Sequence, residues 1–232
     1  MNDVCKFKGF SVSQRLSAIK VGTDGVLLGT GARGGEPILD IGCGTGVIAL
    51  MMAQRYPHSI VQGVDIDADA AAEAGENVKA SPFAERVSIF HTPLQSFMPT
   101  KKFDAIVSNP PFFNHGFTTP DKARRMARQT TSLSFADITD FAAKWLATEG
   151  ELSVVLPVEE LSEFSFQASF RGLFLAREYS VKTVANKAPK RYLVSYTLSR
   201  PKTFDKQIVV LMDGQGERTA WYHALTQDFY IS

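Results

Sequence analysis

Short apolar runs alternate with helix-favouring stretches along the first two-thirds of the chain. Runs of this length, bounded by glycine or polar residues, are typical of strands that are buried on both faces of a parallel sheet. We predict five such strands, over residues 37–41, 59–64, 87–90, 103–107 and 150–156. The intervening apolar spacing predicts helices over residues 47–56, 67–79, 135–146 and 158–170.

The last third of the chain is rich in β-forming residues. It predicts three further strands over residues 175–181, 192–198 and 208–212, with no long helix between them. Strands that alternate with helices of about ten to fifteen residues indicate a doubly wound α/β fold. We therefore predict a Rossmann-like, mostly parallel central sheet with helices on both faces, and the closing strands predict an antiparallel edge.

The composition is that of an ordinary globular protein. Of the 232 residues, 44% are hydrophobic and 21% are charged, which excludes disordered and collagen-like classes. The longest apolar run, from Val47 to Ala53, is far shorter than the roughly 18 residues that a membrane helix needs. The two cysteines, Cys5 and Cys43, are too few for a disulfide framework. We expect a monomeric cytoplasmic protein without a membrane segment.

Charged residues are segregated along the chain, although the formal net charge is only +1. Segments 1–34, 101–130 and 171–206 carry 20 basic residues against 6 acidic ones, and the remaining segments carry 5 against 18. If the basic segments meet in space, they form one positive face that suits a polyanion. Three separately solvated loops would have the same charges, so charge alone leaves both interpretations open.

A glycine-rich turn, Asp40-Ile41-Gly42-Cys43-Gly44-Thr45-Gly46, follows the first predicted strand. Glycines permit a tight turn and let a ligand approach the backbone. The dinucleotide fingerprint requires a glycine at its sixth place, where this chain has Val47. The turn instead resembles the Asp-x-Gly-x-Gly-x-Gly motif of Rossmann-like S-adenosylmethionine-dependent methyltransferases. That resemblance implies an S-adenosylmethionine site formed by Asp40, Gly42, Gly44 and Gly46.

An acidic residue, Asp65, ends the second predicted strand, 19 residues after Gly46. A carboxylate there can accept hydrogen bonds from both hydroxyls of a ribose, so we predict that Asp65 binds the cofactor. Asp67 is predicted to cap the next helix. Many methyltransferases hold the cofactor's adenine with an acid after strand three, but this chain reads His91-Thr92-Pro93-Leu94. Adenine recognition is therefore left to backbone groups or to a neighbouring residue.

The string Ser108-Asn109-Pro110-Pro111-Phe112 follows the fourth predicted strand. The Asn109 amide oxygen and the Pro110 carbonyl can each accept one hydrogen of an exocyclic amine, which turns its lone pair toward a methyl donor. Two prolines fix this backbone, and the Phe112 ring offers a stacking surface for a base. The string resembles the Asn/Asp-Pro-Pro-Tyr/Phe signature of enzymes that methylate planar nitrogens. This implies that Asn109, Pro110 and Phe112 are catalytic and that Asn109 also contacts the cofactor.

Two stretches, together with the spacing to the glycine turn, resemble the bacterial tRNA adenine-N6 methyltransferases over essentially the whole chain. They are 20–29 and 224–230, and the basic stretch 188–192 matches as well. The resemblance implies S-adenosylmethionine-dependent methylation of the adenosine beside the anticodon of a valine tRNA. It makes Thr23 and Asp24 candidate cofactor contacts, on a segment that also fits a capped helix. We expect an N-terminal extension, 1–36, packed over the cofactor site, and a methyltransferase domain, 37–232, in one structural domain.

Basic residues near the predicted site are the candidate RNA contacts. Ligands of doubly wound sheets lie outside the carboxyl ends of the strands, and the loop after Phe112 borders that crevice. The predicted contacts are Lys122, Arg124, Arg125, Arg128, Lys187, Lys190 and Arg191. We expect no metal, because the sequence has no His/Cys/Asp cluster with metal-ligand spacing. A ribosomal RNA guanine-N2 methyltransferase, a protein glutamine-N5 methyltransferase and a non-catalytic RNA-binding domain remain alternatives.

Overall fold

The computed structural model of the protein describes residues 3–17, 20–111 and 133–231. Its strands are β1 (Val4–Lys6), β2 (Ser11–Ser13), β3 (Ile38–Ile41), β4 (Val61–Asp65), β5 (Val87–His91), β6 (Phe103–Ser108), β7 (Leu146–Pro157), β8 (Phe174–Lys182), β9 (Arg191–Thr197) and β10 (Asp205–Val210). Its helices within these ranges are α1 (Thr23–Gly31), α2 (Val47–Arg55), α3 (Ala68–Lys79), α4 (Phe135–Trp145), α5 (Leu161–Phe170) and α6 (Ala220–Thr226).

Eight strands form the central sheet, in the order β10-β8-β9-β7-β6-β3-β4-β5, and β1 and β2 form a separate antiparallel hairpin. Strands β3 to β7 are mutually parallel. Strand β9 is antiparallel to both of its neighbours, whereas the outermost strand, β10, is parallel to β8. The doubly wound α/β fold is confirmed. Helix α5 connects β7 to β8, so these two strands run in the same direction but are not adjacent. Strand β9 lies between them and is antiparallel to both, which places the antiparallel strand inside the sheet.

Two apolar layers cover the faces of the sheet. Helix α2 is buried over its first seven residues, from Val47 to Ala53, and packs with α1 and the N-terminal hairpin on one face. On the other face α4 and α5 enclose Phe103, Phe164 and Tyr196. Full burial of each large apolar side chain stabilises the fold by roughly 1.5–3 kcal/mol. Across the described ranges, every helix is too short or too polar to span a membrane.

Most predicted elements match the observed ones to within a few residues. Strand β7 begins at Leu146, four residues before its predicted start, and the last strand, predicted over residues 208–212, is observed at Asp205–Val210. The first three residues of the last strand are exposed and polar, so the apolar pattern begins only at Ile208. Asp67 caps α3 as predicted, since its side chain accepts from the amides of Asp69 and Ala70. The hairpin and α6 were not predicted, because three-residue strands and a seven-residue helix leave little periodicity.

Candidate active site

The topology brings the ends of β3 and β6 together. The two strands are neighbours in the sheet, and Ile41 is in register with Ser108 at their carboxyl ends. The Ser108 hydroxyl donates to the Ile41 carbonyl at 2.9 Å, which ties the two ends. The chain leaves β3 toward β4 on one side, while β6 lies on the other. Doubly wound sheets bind their ligands at such a reversal, so the glycine turn and Asn109 face one crevice.

The three glycines of the turn have different roles. Gly42, Gly44 and Gly46 have φ angles of 67°, 54° and 77°, in the left-handed region that favours glycine. A Cβ atom on Gly44 would meet no atom within 4 Å, whereas one on Gly46 would lie 3.2 Å from the Cβ atom of Ala74. Gly42 and Gly44 line a cavity at this edge. Gly46 instead allows α3 to pack closely against the turn.

Asp65 and Asn109 face the same cavity as Gly42 and Gly44. The two Asp65 carboxylate oxygens accept from the amides of Gly44, at 2.8 Å, and Asp67, at 2.9 Å. Burial raises the pKa of Asp65, and these two amides oppose the rise. Each carboxylate oxygen has a further lone pair, so Asp65 can still accept hydrogen bonds from a ligand hydroxyl.

The Asn109 side chain has an acceptor that no described residue uses. Its Oδ1 atom is buried and has no hydrogen-bond partner among the described residues. Leaving such a group unpaired costs about 1–3 kcal/mol, which a ligand donor would offset. The next residue, Pro110, is buried, and Pro111 lines the cavity. The arrangement therefore fits an amine held at Asn109 and a ribose held at Asp65.

Asp40 lies beneath the turn and does not line the cavity. Its side chain is fully buried, and Oδ2 accepts from the amide of Ala49 in α2 at 3.1 Å. Burial raises the pKa of Asp40 to about 7, and the nearby Asp65 carboxylate contributes to the rise. In this position Asp40 supports the junction between the glycine turn and α2.

Thr23 and Asp24 begin α1, and neither lines the cavity. The Asp24 carboxylate forms an ion pair with Arg191, the first residue of β9. A predicted cofactor contact is therefore paired with a predicted RNA contact. The pair ties the start of α1 to the edge of the sheet that carries the cavity, since Arg191 is in register with Pro157 at the carboxyl end of β7.

The other predicted RNA contacts divide into two groups. Lys187 and Lys190 are exposed in the β8–β9 loop, at the carboxyl edge of the sheet. Phe112, Lys122, Arg124, Arg125 and Arg128 lie outside the described residues. In the part of the chain that is described, no group of three or more His, Cys, Asp or Glu side chains is placed to hold a metal ion.

The cavity also includes residues that the sequence motifs did not indicate. Ile66, Thr92 and Leu94 follow the ends of β4 and β5, and Ser17 comes from the N-terminal segment. The first three form a largely apolar wall beside Asp65, which suits a planar base. Thr92 and Leu94 belong to the stretch after β5 that lacks the acid with which many methyltransferases bind adenine. Their position directly after a parallel strand was the sequence feature that could have identified them. Ser17 had no signal in the sequence.

The family model and the known proteins that are similar to this chain are all named as methyltransferases. The methyltransferase small domain family matches residues 27–179. A tRNA1(Val) (adenine(37)-N6)-methyltransferase of Tolumonas auensis is 40% identical over 229 residues, which are 97% of this chain and 95% of that protein. A protein of the same name from Parabacteroides distasonis is 39% identical over 237 residues, 99% of this chain and 98% of that protein.

Solved structures show the same fold. A predicted O-methyltransferase of Agrobacterium tumefaciens superposes with a TM-score of 0.69 at 18% identity, covering 89% of this chain and 96% of that one. At this identity the likeness shows the fold alone.

Proposed function

The chain belongs to the methyltransferase small domain family and to the tRNA1(Val) (adenine(37)-N6)-methyltransferases, and we propose that its reaction takes place in the cavity between the glycine turn and Asn109. It methylates the N6 amine of adenine 37 in a valine tRNA and uses S-adenosylmethionine as the methyl donor. The site assignment rests on the Asn109 oxygen, which has no hydrogen-bond partner among the described residues and belongs to a residue that shares one cavity with Gly44 and Asp65.

The residues present fit the methyl donor. The open space above Gly44 admits a ligand against the backbone, and Asp65 has acceptor capacity for two ribose hydroxyls. Ile66 and Leu94 supply apolar contacts for an adenine ring. When bound, S-adenosylmethionine supplies a sulfonium-activated methyl group. The chain's own contribution is to bind this group and to orient the amine.

Asn109 is assigned the orientation of the target amine. The lone pair of an exocyclic adenine amine is delocalised into the ring, which makes it a poor nucleophile. The Asn109 oxygen and the Pro110 carbonyl each accept one amine hydrogen and so favour a more tetrahedral nitrogen. With the amine held in this way, its lone pair would take up the methyl group that the bound donor supplies, and the proton lost from the nitrogen would pass to water. Phe112 is assigned the stacking of the flipped base.

A labelling experiment tests the substrate and the position together. A valine tRNA transcript is incubated with tritiated S-adenosylmethionine and digested to nucleosides, with a transcript that carries guanosine at position 37 as the matched control. We expect label in N6-methyladenosine from the first transcript and background from the second. Label in N2-methylguanosine, or in a protein glutamine when extract is supplied, would instead support one of the alternative methyltransferases.

We also propose a domain division, two tRNA contacts, a cellular location and an oligomeric state. Phe7, Phe10 and Leu27 from the first 36 residues pack into the same core as α2, which supports one structural domain composed of the extension 1–36 and the methyltransferase domain 37–232. Lys187 and Lys190 are assigned contacts with the tRNA backbone, because they are exposed at the edge that carries the cavity. A reduced Cys5 and Cys43 support a cytoplasmic enzyme, which we assign as a monomer.

A further inference from the structure

Ser17 supplies a wall of the cavity that none of the sequence motifs accounts for. Ser17 is 4% exposed, and it lines the cavity together with Gly44 and Asp65. The Ser17 hydroxyl is buried and has no hydrogen-bond partner among residues 3–17, 20–111 and 133–231. A buried hydroxyl without a partner costs free energy, so its position in a ligand cavity points to a contact with the ligand.

The backbone of Ser17 is held independently of its hydroxyl. Glu73 on α3 accepts from the Ser17 amide at 2.8 Å through Oε2, and from the Leu16 amide and the Ser13 hydroxyl, each at 3.1 Å, through Oε1. Asn77, one turn further along α3, exchanges two hydrogen bonds with the backbone of Ser13. Residues 13–17 are therefore fixed along α3. Removing the Ser17 hydroxyl breaks none of these bonds.

The same anchor connects this segment to the glycine turn, because the Asn77 side chain that binds the Ser13 carbonyl also donates to the Thr45 carbonyl at 2.9 Å. Glu73 immediately precedes Ala74, the residue against which Gly46 packs. Thr92 and Leu94, which form the wall assigned to the adenine ring, follow β5 at the outer edge of the sheet. If the ribose binds Asp65, between these two regions, the part of the methyl donor that would extend toward Ser17 is its amino acid half.

The turn itself has few donors left for the carboxylate of that half. Four of its amides already donate hydrogen bonds within the protein: those of Gly42, Cys43, Gly44 and Gly46. A carboxylate in a buried site requires donors, and a hydroxyl provides a charge-assisted hydrogen bond. We propose that the Ser17 hydroxyl donates a hydrogen bond to the carboxylate of the methyl donor. This inference rests on the proposed use of the cavity for S-adenosylmethionine.

Two probes that differ only in this half of the molecule test the inference. S-Adenosylhomocysteine has the carboxylate, whereas 5′-methylthioadenosine keeps the adenine, ribose and sulfur but lacks the amino acid group. We expect Ser17→Ala to weaken S-adenosylhomocysteine binding about 10- to 100-fold in calorimetry, as the loss of a hydrogen bond to a charged group does. Binding of 5′-methylthioadenosine and the ligand-free melting temperature are expected to stay unchanged, and Ser17→Thr is expected to restore most of the affinity.

Two control variants separate the possible results. Asp65→Ala is expected to weaken both probes, because both contain the ribose. Ser13→Ala removes a hydroxyl that bonds to Glu73 outside the cavity, so it is expected to affect both probes equally. If Ser17→Ala leaves S-adenosylhomocysteine binding unchanged, or weakens both probes to the same extent, the inference is wrong. If the wild-type protein binds neither probe, the use of this cavity for the methyl donor is itself overturned.

Discussion

The position of the Asn109 side chain depends on the order of the strands and on a hydrogen bond between two of them. Its amide oxygen has no partner among the described residues, and the residue follows β6 at the point where the sheet reverses its strand order. Ser108, just before it, is locked to β3, so the position of the acceptor is set by the sheet. A polar group held in this way acts mainly on the orientation of a reactant, which matters most in the transition state.

Replacement of Asn109 is therefore expected to reduce turnover far more than cofactor binding. We expect Asn109→Ala to lower the single-turnover rate on unmodified valine tRNA at least roughly a hundredfold, as removal of one aligned polar group commonly does. Calorimetric binding of S-adenosylmethionine is expected to change little. Asn109→Asp keeps an acceptor oxygen, so partial activity is expected to survive. Wild-type rates in Asn109→Ala would contradict the proposed mechanism.

Asp40 gives a pH-dependent prediction at the same scale. Burial raises its folded-state pKa to about 7 from an ordinary value of 3.8, so the folded protein retains a proton that the unfolded chain has lost. The free energy of unfolding is therefore expected to fall as the pH rises from about 4 to about 7. Asp40→Asn removes the titrating group and is expected to flatten this dependence in urea denaturation at about pH 5 and pH 8. The same change in the free energy of unfolding between the two pH values in the wild type and the variant would refute the role given to Asp40.

At the scale of elements, the N-terminal segment and α3 form one unit through Glu73. Burial opposes ionisation of Glu73, but the amides of Ser17, Leu16 and Arg15 and the Ser13 hydroxyl together hold its pKa below the usual range. This stabilisation is fully present above the unfolded-state pKa of 4.5 and is lost as the pH falls through the lower folded-state value. The segment that carries Ser17 is therefore attached most firmly at neutral pH.

Loss of the Glu73 carboxylate is expected to loosen this attachment. Glu73→Gln places an amide donor against backbone donors, so the free energy of unfolding at neutral pH is expected to fall by about 1–3 kcal/mol. Affinity for S-adenosylhomocysteine is expected to fall with it. Glu76→Gln, on an exposed side chain of the same helix that pairs with Lys79, is the matched control. Equal stability of the two variants would show that the Glu73 contacts do not contribute.

The β8–β9 loop is predicted to contact the tRNA through its exposed lysines, Lys187 and Lys190. We expect replacement of Lys187 and Lys190 by serine to weaken tRNA binding and to reduce the slope of log K against log salt by about 0.9 or less per lost phosphate contact. S-Adenosylmethionine binding is expected to be unaffected. Lys79→Ser, at the far end of α3, removes a similarly exposed charge away from the cavity and is expected to leave the slope unchanged. An unchanged slope in the loop variant would show that its lysines are only solvated.

At the scale of the whole molecule, both ends of the chain support the layer that carries the glycine turn. The Phe7 ring stacks on Phe10 at 4.9 Å and on Tyr230 at 6.3 Å between ring centroids, and the Lys8 amide donates to the Phe229 carbonyl. Helix α2, which begins at the turn, is covered by this aromatic cluster through α1 and α6. The cavity edge is therefore built on a core to which residues far apart in sequence contribute.

The sequence by itself determined the features that depend on short stretches of chain. Apolar runs placed the parallel strands, and the cap at Asp67 followed from local side-chain chemistry. The glycines predicted a tight turn after β3, where Gly42, Gly44 and Gly46 have positive φ angles. The placement of Asp65 and Asn109 at one crevice could also be predicted. Residues at the carboxyl ends of neighbouring parallel strands meet at one edge, whatever the details of packing.

Only the tertiary structure decided the features that depend on contacts between distant segments. The position of β9 inside the sheet, the burial of Asp40 away from the cavity and the pairing of Asp24 with Arg191 belong to this class. Ser17 reaches the cavity because Glu73, 56 residues away in sequence, holds its amide. A periodic pattern reports which face of an element is buried. It contains no information about which distant polar group will satisfy an amide or a charge, because that choice depends on how the completed layers pack.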